Sequence, residues 1–255
     1  MIYEVQKMDK IIPLFEGMTD TTITSCLQGI MGKVYADSLE NSCSAMAILG
    51  DFCFLAGEPN EELALYKPPH LTQDFMIMMP QNEAWCRLVE KCYAEKAKKV
   101  SRYALKKDGA VFDRTALQAI VDKLSPEYSL QLIEEELFQK CKETPWCKDW
   151  VANFPDYELY SKYGLGVTIL KDGEPIAGAS SYSGYIGGIE IEIITKEEYR
   201  RQGLASVCGA KLILECLERG LYPSWDAQNK WSAALAQKLG YHYDGEYTAY
   251  EIWGY

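Results

Sequence analysis

The chain has 255 residues, of which 48% are hydrophobic and 25% charged, a composition typical of a folded protein with one large domain or two of modest size. Its 26 basic and 37 acidic residues give a net charge of -11, and neither half is basic, which disfavours a general role in binding nucleic acid. The longest uncharged run, 175–189, is rich in glycine and serine and too short for a membrane helix, and the N-terminus lacks an apolar signal core. We therefore expect neither nucleic acid nor a membrane as a partner.

Cysteine usage predicts reduced thiols in a cytoplasm, and histidine usage argues against a metal site. The nine cysteines are odd in number, scattered and without a C-x-x-C pair, which predicts reduced thiols rather than a disulfide framework. The two histidines, His70 and His242, are too few to support a histidine-based metal cluster or a histidine-dependent triad. No metal is therefore expected.

The first half of the chain mixes strand and helix patterns without a catalytic motif. The predicted elements are a hairpin over 43–57, a loop over 58–70, a buried strand over 74–80, a helix over 82–98, a strand over 101–107 and a short helix capped by Asp113. These signals suffice for a separate core. We expect residues 1–125 to form a separate α/β lobe.

The second half has a clearer pattern. The predicted elements are a strand over 127–133, a helix over 134–143, a three-stranded meander over 164–195, a helix over 205–220, a strand over 221–227, a helix over 229–240 and a last pair of strands over 241–253. A variable connection fills the gap before the meander. This order predicts an α+β domain over 126–255, with a mixed, mostly antiparallel sheet flanked by helices.

The stretch Gly188–Ala205 changes character halfway. It begins as a strand, in which Ile189 and Ile191 alternate with Glu190 and Glu192, so the two carboxylates share one face. It then becomes a cationic turn that contains a glycine and precedes a helix. A helix start has unpaired N–H groups and partial positive charge, which suits phosphate, although an ordinary strand–helix connection would have a similar sequence.

The order of motifs resembles the GNAT superfamily of N-acetyltransferases. A strand, R-x-x-G-x-A, a long helix, another strand and N-x-x-S-x-x-L-x-x-K-x-G-Y follow each other over 127–255. In that family the first motif corresponds to the turn that binds the acetyl-CoA pyrophosphate, here Arg200, Arg201, Gln202, Gly203, Leu204, Ala205 and Ser206. The resemblance also implies that Asn229 contacts the cofactor near its pantetheine arm, and that Ile193, Ile194 and Thr195 offer backbone groups to the pantetheine amides.

The resemblance implies an N-acetyltransferase that moves the acetyl group of acetyl-CoA to a primary amine of a small molecule or peptide. An alternative is a GNAT-like module that senses acyl-CoA or binds a partner protein with little catalysis. The sequence does not indicate the oligomeric state.

Amine attack on a thioester requires a base. Because a glutamate on this strand often serves as base in the family, Glu192 is the first candidate and Glu190 the second; a solvated strand face is the alternative.

One position departs from the family. A tyrosine that protonates the departing thiolate is common there, whereas this chain has Ala236. The proton for the thiolate would then come from another donor: Ser232, a tyrosine (Tyr241, Tyr243 or Tyr247) or water.

Two further residues near these motifs have structural interpretations. Cys208 lies on the apolar stripe of the predicted helix, so core packing is favoured over a nucleophile. Pro223 lies inside a predicted strand, which indicates either a strand with one unpaired side or the start of that strand.

Overall fold

A computed structural model describes the backbone of residues 1–255 and every side chain except that of residue 110. The strands are β1 (Tyr3–Glu4), β2 (Lys33–Ala36), β3 (Ser44–Leu49), β4 (Phe52–Gly57), β5 (Phe75–Pro80), β6 (Ala97–Leu105), β7 (Ser129–Leu132), β8 (Gly166–Lys171), β9 (Glu174–Tyr185), β10 (Gly188–Thr195), β11 (Tyr222–Ser224), β12 (Asp226–Ala227) and β13 (Tyr243–Trp253). The α-helices are α1 (Thr21–Leu27), α2 (Glu61–Ala64), α3 (Glu83–Tyr93), α4 (Arg114–Val121), α5 (Glu135–Glu143), α6 (Tyr157–Tyr163), α7 (Leu204–Glu218) and α8 (Lys230–Lys238).

The first compact unit comprises Met1–Arg102 and Glu246–Tyr255. Its strands follow the order β1-β2-β3-β4-β5-β13, with β4 and β5 parallel and the other neighbours antiparallel. The predicted hairpin over 43–57 is β3 and β4. Large buried side chains, among them Trp85 and Tyr250, form the core of this unit.

Three predictions in the first half and at the C-terminus differ from the structure. The predicted loop over 58–70 contains the short helix α2, because the Asn60 side chain accepts a hydrogen bond from the Leu63 amide and caps its start. The predicted helix over 82–98 ends at Tyr93, where Ala94 takes a positive φ of 46°. The predicted final pair of strands is the single strand β13.

The second compact unit comprises Tyr103–Gly245. Its main sheet has the order β11-β10-β9-β8-β7, in which β10 and β11 are parallel and the other neighbours antiparallel. The apolar face of this sheet packs on α7: Ile189 and Ile191 of β10 share one core with Cys208 and Leu212 of the helix. The fold is the predicted mixed and mostly antiparallel sheet with flanking helices.

The two units divide the chain elsewhere than at the predicted boundary near residue 125. Helix α4 belongs to the second unit, because its buried Leu117 packs into the same core as α7. The last ten residues belong to the first unit, because β13 pairs with β5.

Burial of Cys208 predicts an unreactive thiol. This side chain is fully buried in the α7 core, and burial raises the pKa of its thiol. Cys43, by contrast, is exposed. When the folded protein is treated with iodoacetamide near pH 8, peptide mass spectrometry should find Cys43 modified while Cys208 stays unmodified. Modification of Cys208 at the rate of Cys43 would contradict the interpretation as core packing.

Candidate functional site

The strands β10 and β11 form a fork. They pair in parallel from Gly188 to Glu190, opposite Tyr222–Ser224. Strand β12 then follows, and its described pairs are with β6. On its other side β10 stays paired with β9 as far as Thr195. Beyond Glu190, the described pairs therefore leave one edge of β10 open.

Alternation along β10 decides which backbone groups face this open edge. The Gly187 carbonyl accepts a hydrogen bond from the Tyr222 amide, so the backbone N–H and C=O groups of odd-numbered residues point towards β11. The Lys196 amide donates to the Ile176 carbonyl of β9, so the backbone groups of even-numbered residues point towards β9. Ile193 and Thr195 therefore direct their backbone groups to the open edge. Ile194, the third residue expected to bind there, directs its own towards β9.

The cationic turn follows β10 directly. A short 3-10 helix ends at Tyr199, Arg201 and Gly203 take left-handed φ values of 64° and 82°, and α7 begins at Leu204. A Cβ atom added at Gly203 would meet nothing within 4 Å, so the space above this helix start is open. The geometry brings free N–H groups of a 15-residue helix to an accessible surface.

The side chains of the turn point in several directions. Arg200 Nε lies 3.3 Å from the Thr195 carbonyl oxygen, and Gln202 Oε1 accepts a hydrogen bond from the Tyr128 hydroxyl at 3.2 Å. Arg201 is exposed, Leu204 is buried and Ala205 is half-buried.

A third cation reaches the turn from another helix. Lys238 Nζ of α8 donates to Ser206 Oγ at 3.1 Å. The Thr195 hydroxyl oxygen is also buried and has no hydrogen-bond partner within the described part of the chain. Lysine and a buried, unsatisfied hydroxyl are both suited to a polar, anionic ligand.

The two glutamates occupy different environments on the same strand face. Glu190 is only 5% exposed, and its Oε1 accepts a hydrogen bond from the Asp226 amide at 2.6 Å, across the fork. Glu192 is half-buried and lies opposite Ser180 of β9. Glu190 therefore ties the two diverging strands together, while Glu192 lies beyond the junction, beside the open edge.

The segment over 144–160, which the sequence predicts as a variable connection, covers this glutamate face; it is called the Trp150 segment below. The Trp150 ring packs on Gly178, where an added Cβ would lie 2.6 Å from it, and the Trp150 carbonyl accepts a hydrogen bond from Ser180 at 2.8 Å. Tyr160 also shares a hydrogen bond with Ser180. The segment is rich in aromatic residues, and this is the signal that could have identified it as a packed cover.

Two polar atoms on this side are buried without a protein partner. Among the described residues, the Trp150 indole nitrogen and the Ser183 hydroxyl form no hydrogen bond. Ser183 lies directly opposite Glu190 in the register of β9 and β10. Because a buried polar atom without a partner is costly, these two atoms are suited to contact with a polar substrate.

Helix α8 begins at the predicted asparagine. Asn229 is the N-cap, and its side-chain oxygen accepts a hydrogen bond from the Ser232 amide at 3.0 Å. The Ser232 hydroxyl accepts a hydrogen bond from the Trp225 indole at 3.2 Å, so its own proton can be donated elsewhere. Ala236 is fully buried in the core formed with α7.

The tyrosines considered as proton donors differ in environment. Tyr241 is buried, and its hydroxyl donates to the Pro223 carbonyl oxygen. That bond uses the Tyr241 proton. Tyr243 is 41% exposed at the start of β13.

Pro223 lies in the middle of β11, the edge strand of the sheet, where its nitrogen faces away from β10.

The described residues offer neither a metal cluster nor a helix able to span a membrane. In the part of the chain that the structure describes, no three His, Cys, Asp or Glu residues cluster so that they could hold a metal ion. None of the described helices combines the length and apolar character that crossing a bilayer requires.

Comparison with known proteins identifies the family. The family model described as GNAT acetyltransferase matches residues 12–250. A GCN5-related N-acetyltransferase-like protein from Streptococcus suis is 43% identical, with a TM-score of 0.91 over 96% of this chain and 98% of that one. An uncharacterized N-acetyltransferase of Bacillus subtilis, YdfB, is 28% identical over 62% of this chain and 69% of its own.

A more distant structure shares the fold alone. The GCN5-related N-acetyltransferase from Kribbella flavida is 15% identical, with a TM-score of 0.55 over 92% of this chain and 96% of that one. The fork, the turn at the start of α7 and these matches agree with the resemblance of the sequence motifs. The chain belongs to the GNAT acetyltransferase family, whose members catalyse acyl transfer.

Proposed function

We propose that this protein transfers the acetyl group of acetyl-CoA to a primary amine of a small molecule or peptide. The observation that carries the proposal is the fork between β10 and β11, whose open edge leads directly to the cationic turn at the start of α7. Free thiols throughout the described chain agree with a reducing, cytoplasmic setting.

The residues around the fork fit acetyl-CoA. The turn from Arg200 to Ser206 would hold the pyrophosphate through helix N–H groups and arginine charge. The backbone of Ile193 and Thr195 would bond the pantetheine amides in the manner of an added strand. The buried Thr195 hydroxyl and the open space above Gly203 support this assignment. Acetyl-CoA supplies an activated acetyl group in the form of a thioester.

Glu192 is the proposed general base. Most amines are protonated at neutral pH, so the acceptor nitrogen must lose a proton before it attacks. Glu192 lies on the face covered by the Trp150 segment, half-buried and beside the open edge. Its carboxylate would accept the proton directly or through water, while the unpartnered Ser183 hydroxyl and Trp150 indole would orient the acceptor.

Ser232 is the proposed proton donor to the leaving thiolate, and solvent water would restore the proton to its hydroxyl. Ala236, at the position where the family often has tyrosine, has no proton to give and faces the core. The Trp225 indole donates to the Ser232 oxygen, which orients the hydroxyl and leaves its proton available. The alternative is that water protonates the thiolate directly, and in that case replacement of Ser232 by alanine would leave kcat unchanged.

Glu190, the second candidate base, is expected to position the fork. Replacement by alanine removes a buried acceptor from the Asp226 amide and should lower the free energy of unfolding by about 2 kcal/mol. Glutamine keeps a carbonyl oxygen there and should cost less than about 1 kcal/mol. Urea unfolding of both variants tests this. Equal loss in the two variants would contradict the role of the hydrogen bond, and a collapse of kcat in Glu190→Gln would instead assign Glu190 to proton transfer.

The experiment that tests the function is release of free thiol from acetyl-CoA in the presence of a panel of amines. Thiol release that depends on one class of amine would support the transferase. Calorimetric binding of acetyl-CoA without amine-dependent release would favour the alternative, an acyl-CoA sensor or interaction module. Absence of acetyl-CoA binding would overturn both.

A further inference from the structure

An exposed tryptophan lies beside the proposed cofactor site. Trp231, in the first turn of α8, is 85% exposed, more than any other large hydrophobic residue described as exposed in this protein. It follows Asn229 by two residues. A single exposed apolar side chain is common on protein surfaces, so the case for a ligand here depends on the groups that share its helix face.

Trp231 shares a helix face with the lysine that reaches the turn. Residues seven apart on an α-helix point in nearly the same direction, so Trp231 and Lys238 form one stripe, with exposed Ala234 between them. Lys238 Nζ contacts Ser206 in the first turn of α7. The stripe therefore continues from the proposed phosphate turn along α8.

The stripe is cationic in an acidic protein. Lys238 is the charged residue on this stripe, since Lys230 precedes Trp231 directly and points to another side of the helix. Helix α8 has no carboxylate, whereas the whole chain has a net charge of -11. A flat aromatic ring and a lysine, separated by a small residue, are groups suited to bind a nucleotide: the ring stacks on the base and the lysine pairs with a phosphate.

We propose that this stripe binds the adenosine 3′-phosphate end of the CoA cosubstrate, with the adenine stacked on Trp231 and a phosphate paired with Lys238. The inference rests on the proposed function and adds a second contact region for the same ligand. Only the nucleotide end uses it, so the stripe discriminates CoA thioesters from shorter pantetheine thioesters.

The test measures affinity by calorimetry for two ligands, acetyl-CoA and acetyl-phosphopantetheine, which lacks the nucleotide. Trp231→Ala should weaken acetyl-CoA binding about tenfold, the order expected for one stacked base. It should leave the affinity for acetyl-phosphopantetheine within about twofold of wild type, because that ligand has no base to stack. Trp231→Phe, which keeps an aromatic ring, should retain most of the wild-type affinity for acetyl-CoA.

The matched control is Trp253→Ala. Trp253 is also an exposed tryptophan, 60% exposed, but it lies on β13 in the other compact unit. Both ligands should bind this variant as they bind wild type. A second readout is the quenching of tryptophan fluorescence by acetyl-CoA, which should be smaller in Trp231→Phe than in wild type.

Each outcome decides between the two proposals. If wild type binds acetyl-CoA and Trp231→Ala binds it equally well, or loses affinity for both ligands alike, the nucleotide stripe is wrong and the proposed function stands. A change in sedimentation of Trp231→Ala with unchanged affinity would assign the tryptophan to a protein contact instead. If wild type binds neither ligand, the proposed function fails and the stripe fails with it.

Discussion

Replacement of Glu192 by glutamine is expected to lower kcat by about 10² to 10⁴, the range typical of loss of a general base. Glutamine has nearly the same shape and keeps an oxygen on the strand face, but it accepts no proton at neutral pH. Because the carboxylate lies on the acceptor face rather than at the phosphate turn, the affinity for acetyl-CoA should remain that of wild type. Steady-state kinetics with the best amine of the panel and calorimetry with acetyl-CoA measure the two effects.

Glu174→Gln is the matched control for this experiment. Glu174 begins β9 in the same sheet, but it is exposed and pairs with Lys140 at 2.7 Å. Its replacement removes one charge from the same sheet and should leave kcat unchanged. If Glu192→Gln turns over like wild type across the pH range, the glutamate face is an ordinary strand face and the base lies elsewhere.

Replacement of Gly203 by aspartate should weaken acetyl-CoA binding by a factor of about 100 or more. A carboxylate at the start of α7 would lie where the pyrophosphate is proposed to bind, and two like charges about 4 Å apart near a protein surface repel by roughly 4 kcal/mol. The added side chain would also fill space that is open in the structure. Calorimetry measures the affinity, and thermal unfolding shows whether the variant folds.

Two controls separate charge and ligand contact from backbone strain. Gly220 follows the same helix at its other end, with a positive φ of 67° and open space around its Cβ position, so Gly220→Asp carries similar strain without approaching the turn. Gly203→Asn has the shape of the aspartate variant without its charge. Gly220→Asp should bind acetyl-CoA with the affinity of wild type. The affinity of Gly203→Asn should lie between those of Gly203→Asp and Gly220→Asp. Full affinity in a folded Gly203→Asp variant would show that the phosphate turn is assigned wrongly.

The second half of the chain was predictable because local and tertiary signals agree there. The alternation in β10, the cap at Asn229 and the glycine that ends α7 are local features, and β10, α7 and α8 lie where these residues predict them. The order of two motifs then identified the family. The tertiary structure agrees with these local signals because the apolar residues of α7, α8 and the sheet pack into one core.

Other features depend on contacts between distant residues and were not predicted. Whether Glu190 is a base or a tie across the fork depends on the Asp226 amide, 36 residues away. The role of Trp150 depends on Gly178 and Ser180, which the alternation of β9 alone does not connect to it. Likewise, β13 pairs with β5, so the last ten residues belong to the first compact unit and not to the predicted domain over 126–255.

The central claim is that acetyl-CoA binds along the open edge of β10, and amide hydrogen exchange measured by NMR tests it residue by residue. With saturating acetyl-CoA, the amides of Ile193 and Thr195 should exchange more slowly, because pantetheine carbonyl oxygens would accept hydrogen bonds from them. The amides of Glu192 and Ile194, which face β9, are internal controls and should change little. Unchanged exchange at Ile193 and Thr195 when acetyl-CoA is bound would contradict the account.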